Sequence, residues 1–211
     1  MMSGPHLSAR LLSPADYKLM PWKNGRGATT ELAIHPAHAD LAERPFSWRL
    51  SMADVVEDGD FSPFPGYDRS LVVARGEGME LSFHGASAPQ RLTGPGSLCV
   101  FSGDWRTRGR LLDGPVRDFN VMSARGRVHH ECEVISGAPV EFVWEAGLET
   151  LFCHCIAGHL ALKMRGNAEW QLEPEHSLWL PETAGFPGFS QLMVMPHTRD
   201  TLAVVTRLRR L

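Results

Sequence analysis

Apolar and polar positions along this chain alternate with a period of two more often than they recur at helical spacing, the signature of half-buried strands. Phe46-Ser-Trp-Arg-Leu-Ser-Met-Ala53 sends Phe46, Trp48, Leu50 and Met52 to one face and Ser47, Arg49 and Ser51 to the other. The short run Ser70-Leu-Val-Val-Ala74 is interrupted by Arg75-Gly-Glu-Gly78 and resumes at Met79-Glu-Leu-Ser-Phe83, which predicts a hairpin closed by a glycine turn. Further strands are predicted over residues 96–101, 119–122, 140–144 and 201–206. Helical patterning is confined to His38–Glu43, a turn or two that Pro45 ends.

The hairpin rhythm occurs twice. Leu71-Val-Val-Ala-Arg-Gly-Glu-Gly-Met-Glu-Leu81 leads through Gln90-Arg-Leu-Thr93 to Gly94-Pro-Gly-Ser-Leu-Cys-Val-Phe101. Later, Leu151-Phe-Cys-His-Cys-Ile-Ala-Gly-His-Leu-Ala-Leu162 leads through Trp170-Gln-Leu172 to Glu173-Pro-Glu-His-Ser-Leu-Trp-Leu180. Each copy reads strand, glycine turn, strand, short apolar stretch, proline turn, strand, which is similar to the hairpin order of cupins. The expected architecture is all-β, of the double-stranded β-helix (cupin or jelly-roll) type. Two repeated halves, about 1–125 and 126–211, would form a single bicupin-like unit over residues 1–211.

Composition supports this picture and narrows the function. Twenty glycines and 15 prolines in 211 residues suit turn-rich β structure, and 43% hydrophobic content suits a buried core. The net charge of −3 argues against an electrostatic nucleic-acid footprint, and the clusters Arg106, Arg108, Arg110 and Arg207, Arg209, Arg210 read as solvated faces. No apolar run reaches a membrane-spanning length of about 18–20 residues, and Met1–Lys18 lacks the apolar core of a secretory signal. The four cysteines read as reduced, structural thiols of a cytoplasmic protein, in a chain too large to need disulfide staples.

Cupins that hold a metal carry His-x-His, Glu and a later His at fixed spacing. The first repeat has Tyr67-Asp68-Arg69 ahead of its hairpin and Ser102-Gly-Asp-Trp105 where the later histidine belongs, so neither metal nor other cofactor is expected. Cys153-His154-Cys155 resembles a zinc ligand set, but alternation on a strand turns His154 away from its neighbours; His129-His130-Glu-Cys132 has no matching partner spacing. Nucleophile-elbow, zinc-protease and phosphate-loop motifs are absent, and no catalytic residue is assigned. Polar density gathers instead at Met20-Pro-Trp-Lys-Asn-Gly-Arg-Gly-Ala-Thr-Thr-Glu31, Phe64-Pro-Gly-Tyr-Asp-Arg69 and Asp118-Phe-Asn-Val-Met122, the last placing Asp118, Asn120 and Met122 on one face. On the concave side of a jelly roll such groups would make a polar pocket of carboxylate size. As a set of turn residues they would be structural only.

These blocks, with Phe46-Ser-Trp-Arg-Leu-Ser-Met-Ala-Asp-Val55 and Gly59-Asp-Phe-Ser-Pro-Phe-Pro-Gly-Tyr-Asp-Arg-Ser70, resemble the HutD/Ves family in their order over about residues 18–125. The resemblance implies a bicupin-like fold without the metal triad. It also implies a bacterial cytoplasmic protein linked to histidine utilisation, which moderates that pathway by sensing a small acid such as urocanate or formate. Carried onto this chain, Trp22 becomes a pocket wall, Lys23 and Arg69 anion contacts, and Asn24 and Asn120 hydrogen-bond donors. Glu31, Arg49 and Asp68 would orient the cations. Where the family has three glycines after Trp-Lys-Asn, this chain has Arg26 at the middle one: either the position needs no left-handed backbone, or Arg26 adds a cation at the pocket mouth.

The expectation is a non-catalytic regulator that binds a small carboxylate. Two alternatives are a metal-independent enzyme using Glu31 or Asp68 as base, and a diverged metal-dependent cupin. The expected partner is the small acid, without nucleic acid or membrane; a regulatory partner protein and the oligomeric state, a homodimer included, are left open.

Overall fold

The computed structural model describes residues 9–22, 27–37, 39, 45–85, 88–144, 147–164, 168–181 and 191–211. Among the described residues nineteen strands run in chain order: β1 (Arg10–Leu12), β2 (Lys18–Pro21), β3 (Gly27–His35), β4 (Trp48–Val55), β5 (Gly59–Phe61), β6 (Tyr67–Arg75), β7 (Gly78–Phe83), β8 (Gln90–Thr93), β9 (Leu98–Ser102) and β10 (Thr107–Leu111). They continue with β11 (Val116–Ala124), β12 (Val128–Ser136), β13 (Val140–Val143), β14 (Leu148–Ala157), β15 (Leu160–Met164), β16 (Ala168–Leu172), β17 (Ser177–Pro181), β18 (Gln191–Pro196) and β19 (Leu202–Arg210). A single 3-10 turn at Pro14–Asp16 is the helical exception among the described residues; the expected turn at His38–Glu43 lies, but for Ala39, outside them. Among the described residues no helix is long and apolar enough to cross a membrane.

The chain forms two compact units: Tyr17–His129, and the described residues before Tyr17 together with His130–Leu211. In the first, a six-stranded sheet in the order β2-β3-β4-β11-β6-β9 packs against a four-stranded sheet, β5-β10-β7-β8. In the second, β1-β17-β14-β19-β12 packs against β13-β18-β15-β16. The sequence echo is therefore a topological one, because β4-β11-β6-β9 and β12-β19-β14-β17 have the same order, as do β5-β10-β7-β8 and β13-β18-β15-β16. The halves read from sequence differ from these units at the start of the chain, where β1 and the Pro14–Asp16 turn belong to the second unit. Strand β1, placed with the first half, pairs with β17 of the second.

Each unit has its own core, built from the inward positions of alternating strands. In the first, Leu71 and Val73 of β6 meet Met79, Leu81 and Phe83 of β7 and Leu92 of β8. In the second, Leu151, Cys153 and Cys155 of β14 join Leu160 and Leu162 of β15 and Val205 of β19. Cys153 and Cys155 thus face the core while the intervening His154 faces the other way, its Nδ1 within 2.8 Å of Ser177 Oγ. None of the four cysteines is in a disulfide, and Cys132 Sγ lies 3.5 Å from Thr206 Oγ1.

A candidate anion site in the first sandwich

The inward face of the six-stranded sheet changes character along its length. At one end Ala53, Val55, Leu71 and Val73 complete the core. Toward the other end, the same face carries Arg49 and Ser51 on β4, Asn120 and Met122 on β11, and Arg69 on β6. These five side chains line a cavity of about 560 Å³, with Trp22, Thr29, Phe61 and Phe64 around it and Glu57, Asp58 and Asp60 also on its lining. Register explains the convergence. Met122 stands directly opposite both Arg49 and Arg69, and Asn120 opposite both Ser51 and Leu71, so residues distant in sequence become cross-strand neighbours on one face.

Arg69 is only 4% exposed, and its guanidinium lies 4.9 Å from the Phe101 ring centre, 5.6 Å from Phe64 and 5.7 Å from Phe61. Its Nη2 donates to Asn120 Oδ1 at 2.9 Å and its Nη1 to the Ser62 carbonyl at 3.3 Å, while Nε is buried with no hydrogen-bond partner among the described residues. Burial lowers the Arg69 pKa to about 10, against the opposing pull of Asp118, and Arg49 lowers it further. Arg49, also 4% exposed, donates from Nε to Glu31 Oε2 at 2.7 Å and leaves Nη2 buried without a partner among the described residues. Glu31 reaches it diagonally: it stands opposite Ser51, two positions along β4, just before a bulge that shifts the β3 register.

Trp22 occupies the wall position expected of it. Its indole donates to Thr29 Oγ1 at 2.8 Å and its backbone N–H to the Gly27 carbonyl at 2.9 Å. Gly27 is required here, since a Cβ would lie 2.2 Å from the Asp54 carbonyl oxygen and 2.9 Å from the Trp22 ring. Lys23 and Asn24 lie outside the described residues, as does Arg26.

The structure brings together Trp22, Arg69, Asn120, Arg49 and Glu31, and separates Asp68 from them. Asp68 precedes Arg69 on a strand, and alternation turns it to the opposite face. There its carboxylate pairs at 2.8 Å with Arg125, which also pairs at 2.6 Å with Asp104. Asp68 therefore orients no cation of the cavity. Sequence reasoning gave no role to Ser51 or Phe61 and grouped Asp118 with the pocket's polar residues without a role of its own, although alternation on β4 and β11 put Ser51 and Asp118 on the correct face.

In the second sandwich, Leu151, Cys153 and Cys155 of β14 join Val205 and Ala203 of β19 in an apolar core, and Arg207 of β19, opposite Leu151, lies 5.6 Å from the Phe142 ring centre and pairs with Glu131 at 2.9 Å. A cupin metal would not suit the first sandwich, because the buried groups on its cavity floor are guanidinium, amide, hydroxyl and thioether. Among the described residues no three His, Cys, Asp or Glu side chains gather to hold an ion.

Fold and cavity together define a bicupin-like β protein whose first sandwich carries buried cations on its cavity floor. Residues 14–195 match the HutD family model, and the chain belongs to the HutD family. A Pseudomonas putida protein described as an uncharacterized 21.2 kDa protein in the hutC 3' region is 35% identical over 159 residues, 74% of this chain and 78% of that protein. Among solved structures, a conserved protein of unknown function from Pseudomonas aeruginosa PAO1 is 32% identical with a TM-score of 0.81, over 96% of this chain and 99% of that one. HutD from Pseudomonas fluorescens SBW25, solved in a formate condition, is 28% identical with a TM-score of 0.78, over 97% of this chain and all of that one (100%). A likeness in fold alone extends to the oxalate decarboxylase of Lactobacillus farciminis, at 9% identity and a TM-score of 0.61 over 95% of this chain and 85% of that one.

Proposed function

We propose that this HutD-family chain is a non-catalytic, cytoplasmic sensor in histidine utilisation that binds a small carboxylate, such as urocanate or formate, in the first-sandwich cavity. One observation carries the reading. Two buried guanidiniums, Arg69 and Arg49, line the cavity, and each keeps a buried N–H without a hydrogen-bond partner among the described residues. Buried donors of this kind are costly unless matched, and a carboxylate supplies the acceptors and the charge. The hut context of the Pseudomonas putida relative and the formate condition of the Pseudomonas fluorescens structure support the pathway and the ligand class. The absence of a catalytic role is supported by Glu31 and Asp68, the two bases suggested by sequence. Each is engaged in an ion pair, with Arg49 and Arg125 respectively, and neither is among the cavity-lining residues.

Calorimetric titration with formate and urocanate tests the reading, with formamide as the neutral control. Saturable binding of the anions and none of formamide is expected. Equal response to all three, or turnover of urocanate by the purified protein, would overturn it.

A further inference from the structure

The polar floor continues inward beyond the residues that line the cavity. Asp118 is fully buried on the same face as Asn120, opposite Ala53 on β4 and Val73 on β6, beside a register shift at Arg117/Asp118. Asn120 links it to the cavity. Its Oδ1 accepts from Arg69, so its Nδ2 is turned inward and donates to Asp118 Oδ1. Asp118 Oδ2 is buried with no hydrogen-bond partner among the described residues. The charged groups facing this row are Arg69 from β6, which favours an ionised Asp118, and Asp54 from β4, which opposes it; Arg49 from β4, paired with Glu31 of β3, acts on Arg69. From the opposing sheet Asp60 of β5, with Glu57 and Asp58 just before that strand, faces the cavity, while Met79, Leu81 and Phe83 belong to the adjoining core.

Burial pushes the Asp118 carboxyl up to about 7, even with Arg69 and the Asn120 bond acting to lower it. A carboxylate seated on Arg69 would neutralise the cation that favours ionised Asp118 and add a second negative charge across Asn120.

Resting on the reading that this cavity binds a small carboxylate, we propose that anion and proton bind together: as the carboxylate seats on Arg69, Asp118 takes one proton from solvent onto Oδ2. The anion adds one negative charge and the proton one positive, so the net charge of the buried row is unchanged. Asp118 is then a positioning residue that touches the ligand only through Asn120 and Arg69, and makes affinity depend on pH. Among the described residues no histidine lines the cavity to mimic the effect.

The test is calorimetric titration with formate, which stays ionised throughout, at pH 8 in phosphate and in Tris. The difference in heat between buffers counts protons taken up. Uptake of about 0.5–1 proton per formate is expected, with affinity level below pH 6 and falling by up to about tenfold per pH unit above 7. Asp118→Asn should bind formate without proton uptake and with a level pH profile. If that variant fails to fold, the wild-type proton count decides alone. Formate binding with no buffer-dependent heat overturns the proposal while sparing the cavity assignment, as does undiminished uptake in folded Asp118→Asn. Failure of wild-type protein to bind formate at all overturns the carboxylate reading, and this proposal with it.

Discussion

Replacing Arg69 by alanine separates a ligand-binding role from a structural one. The substitution removes a cation packed among three aromatic rings and leaves Asn120 Oδ1 without its donor. Arg69 is 4% exposed, and the unmatched acceptor together with the space left by the stem should cost about 2–4 kcal/mol of stability. Binding is a separate loss. A guanidinium contact to a carboxylate contributes about 1.5–3 kcal/mol, so formate affinity should fall about ten- to hundredfold. Arg69→Lys keeps the charge but not the planar fork and should recover only part of that affinity. Arg106→Ala, at an exposed position, should recover wild-type behaviour in full. Thermal unfolding without ligand measures the first loss, and calorimetric titration at a temperature where each variant is folded measures the second. A folded Arg69→Ala protein that binds formate as tightly as wild type refutes the assignment of Arg69 as an anion contact, whatever its melting temperature.

Asp68→Asn should leave formate affinity unchanged, since its carboxylate meets Arg125 on the opposite face of β6; a tenfold loss measured by the same titration would return it to the site. Bonds from Arg125, Gly66 and Ser102 hold the Asp104 carboxyl down to about 2. Its stabilising contribution is therefore complete above about pH 4 and lost as pH falls toward 2, so melting curves of Asp104→Asn should show a shallower acid limb than wild type. Gly27→Ala would drive a Cβ against the Asp54 carbonyl 2.2 Å away and should destabilise by about 1–3 kcal/mol in denaturant titration. Thiol labelling should begin at half-buried Cys132. Burial raises the Cys99 and Cys153 thiols, and that of Cys155 to about 12, so these three should react only on unfolding, when four thiols in all are counted.

Alternation was the most informative signal in the sequence, because a strand offers only two faces. It separated Arg49 and Ser51 from Trp48, Leu50 and Met52, and grouped Asp118 with Asn120 and Met122, as the cavity floor requires. The same rule argued against pairing Asp68 with Arg69, and sequence adjacency was the misleading cue there. Which strands lie side by side was less legible. Contact between Arg69 and Asn120, 51 positions apart, depends on β6 and β11 pairing in one register, and nothing local to either strand encodes that. The ion pair of Glu31 with Arg49 depends likewise on β3 and β4 pairing so that Glu31 stands opposite Ser51. Asp118 went unassigned because its significance is burial, which one sequence does not display.

Strand β1 has a consequence for the order in which this chain can assemble. The Tyr17–His129 unit is continuous in sequence, so every strand of its two sheets has been synthesised before β17 exists. Arg10–Leu12 emerges earlier still, yet its partner Ser177–Trp179 comes near the end of the chain. This early segment is thus among the last to find its place, and the intervening sandwich forms an ordered loop between the two pieces of the other unit. A fragment spanning residues 17–129 carries one whole sandwich. A fragment starting at 130 turns β17 into an edge strand with unpaired backbone groups, open to pairing with another chain.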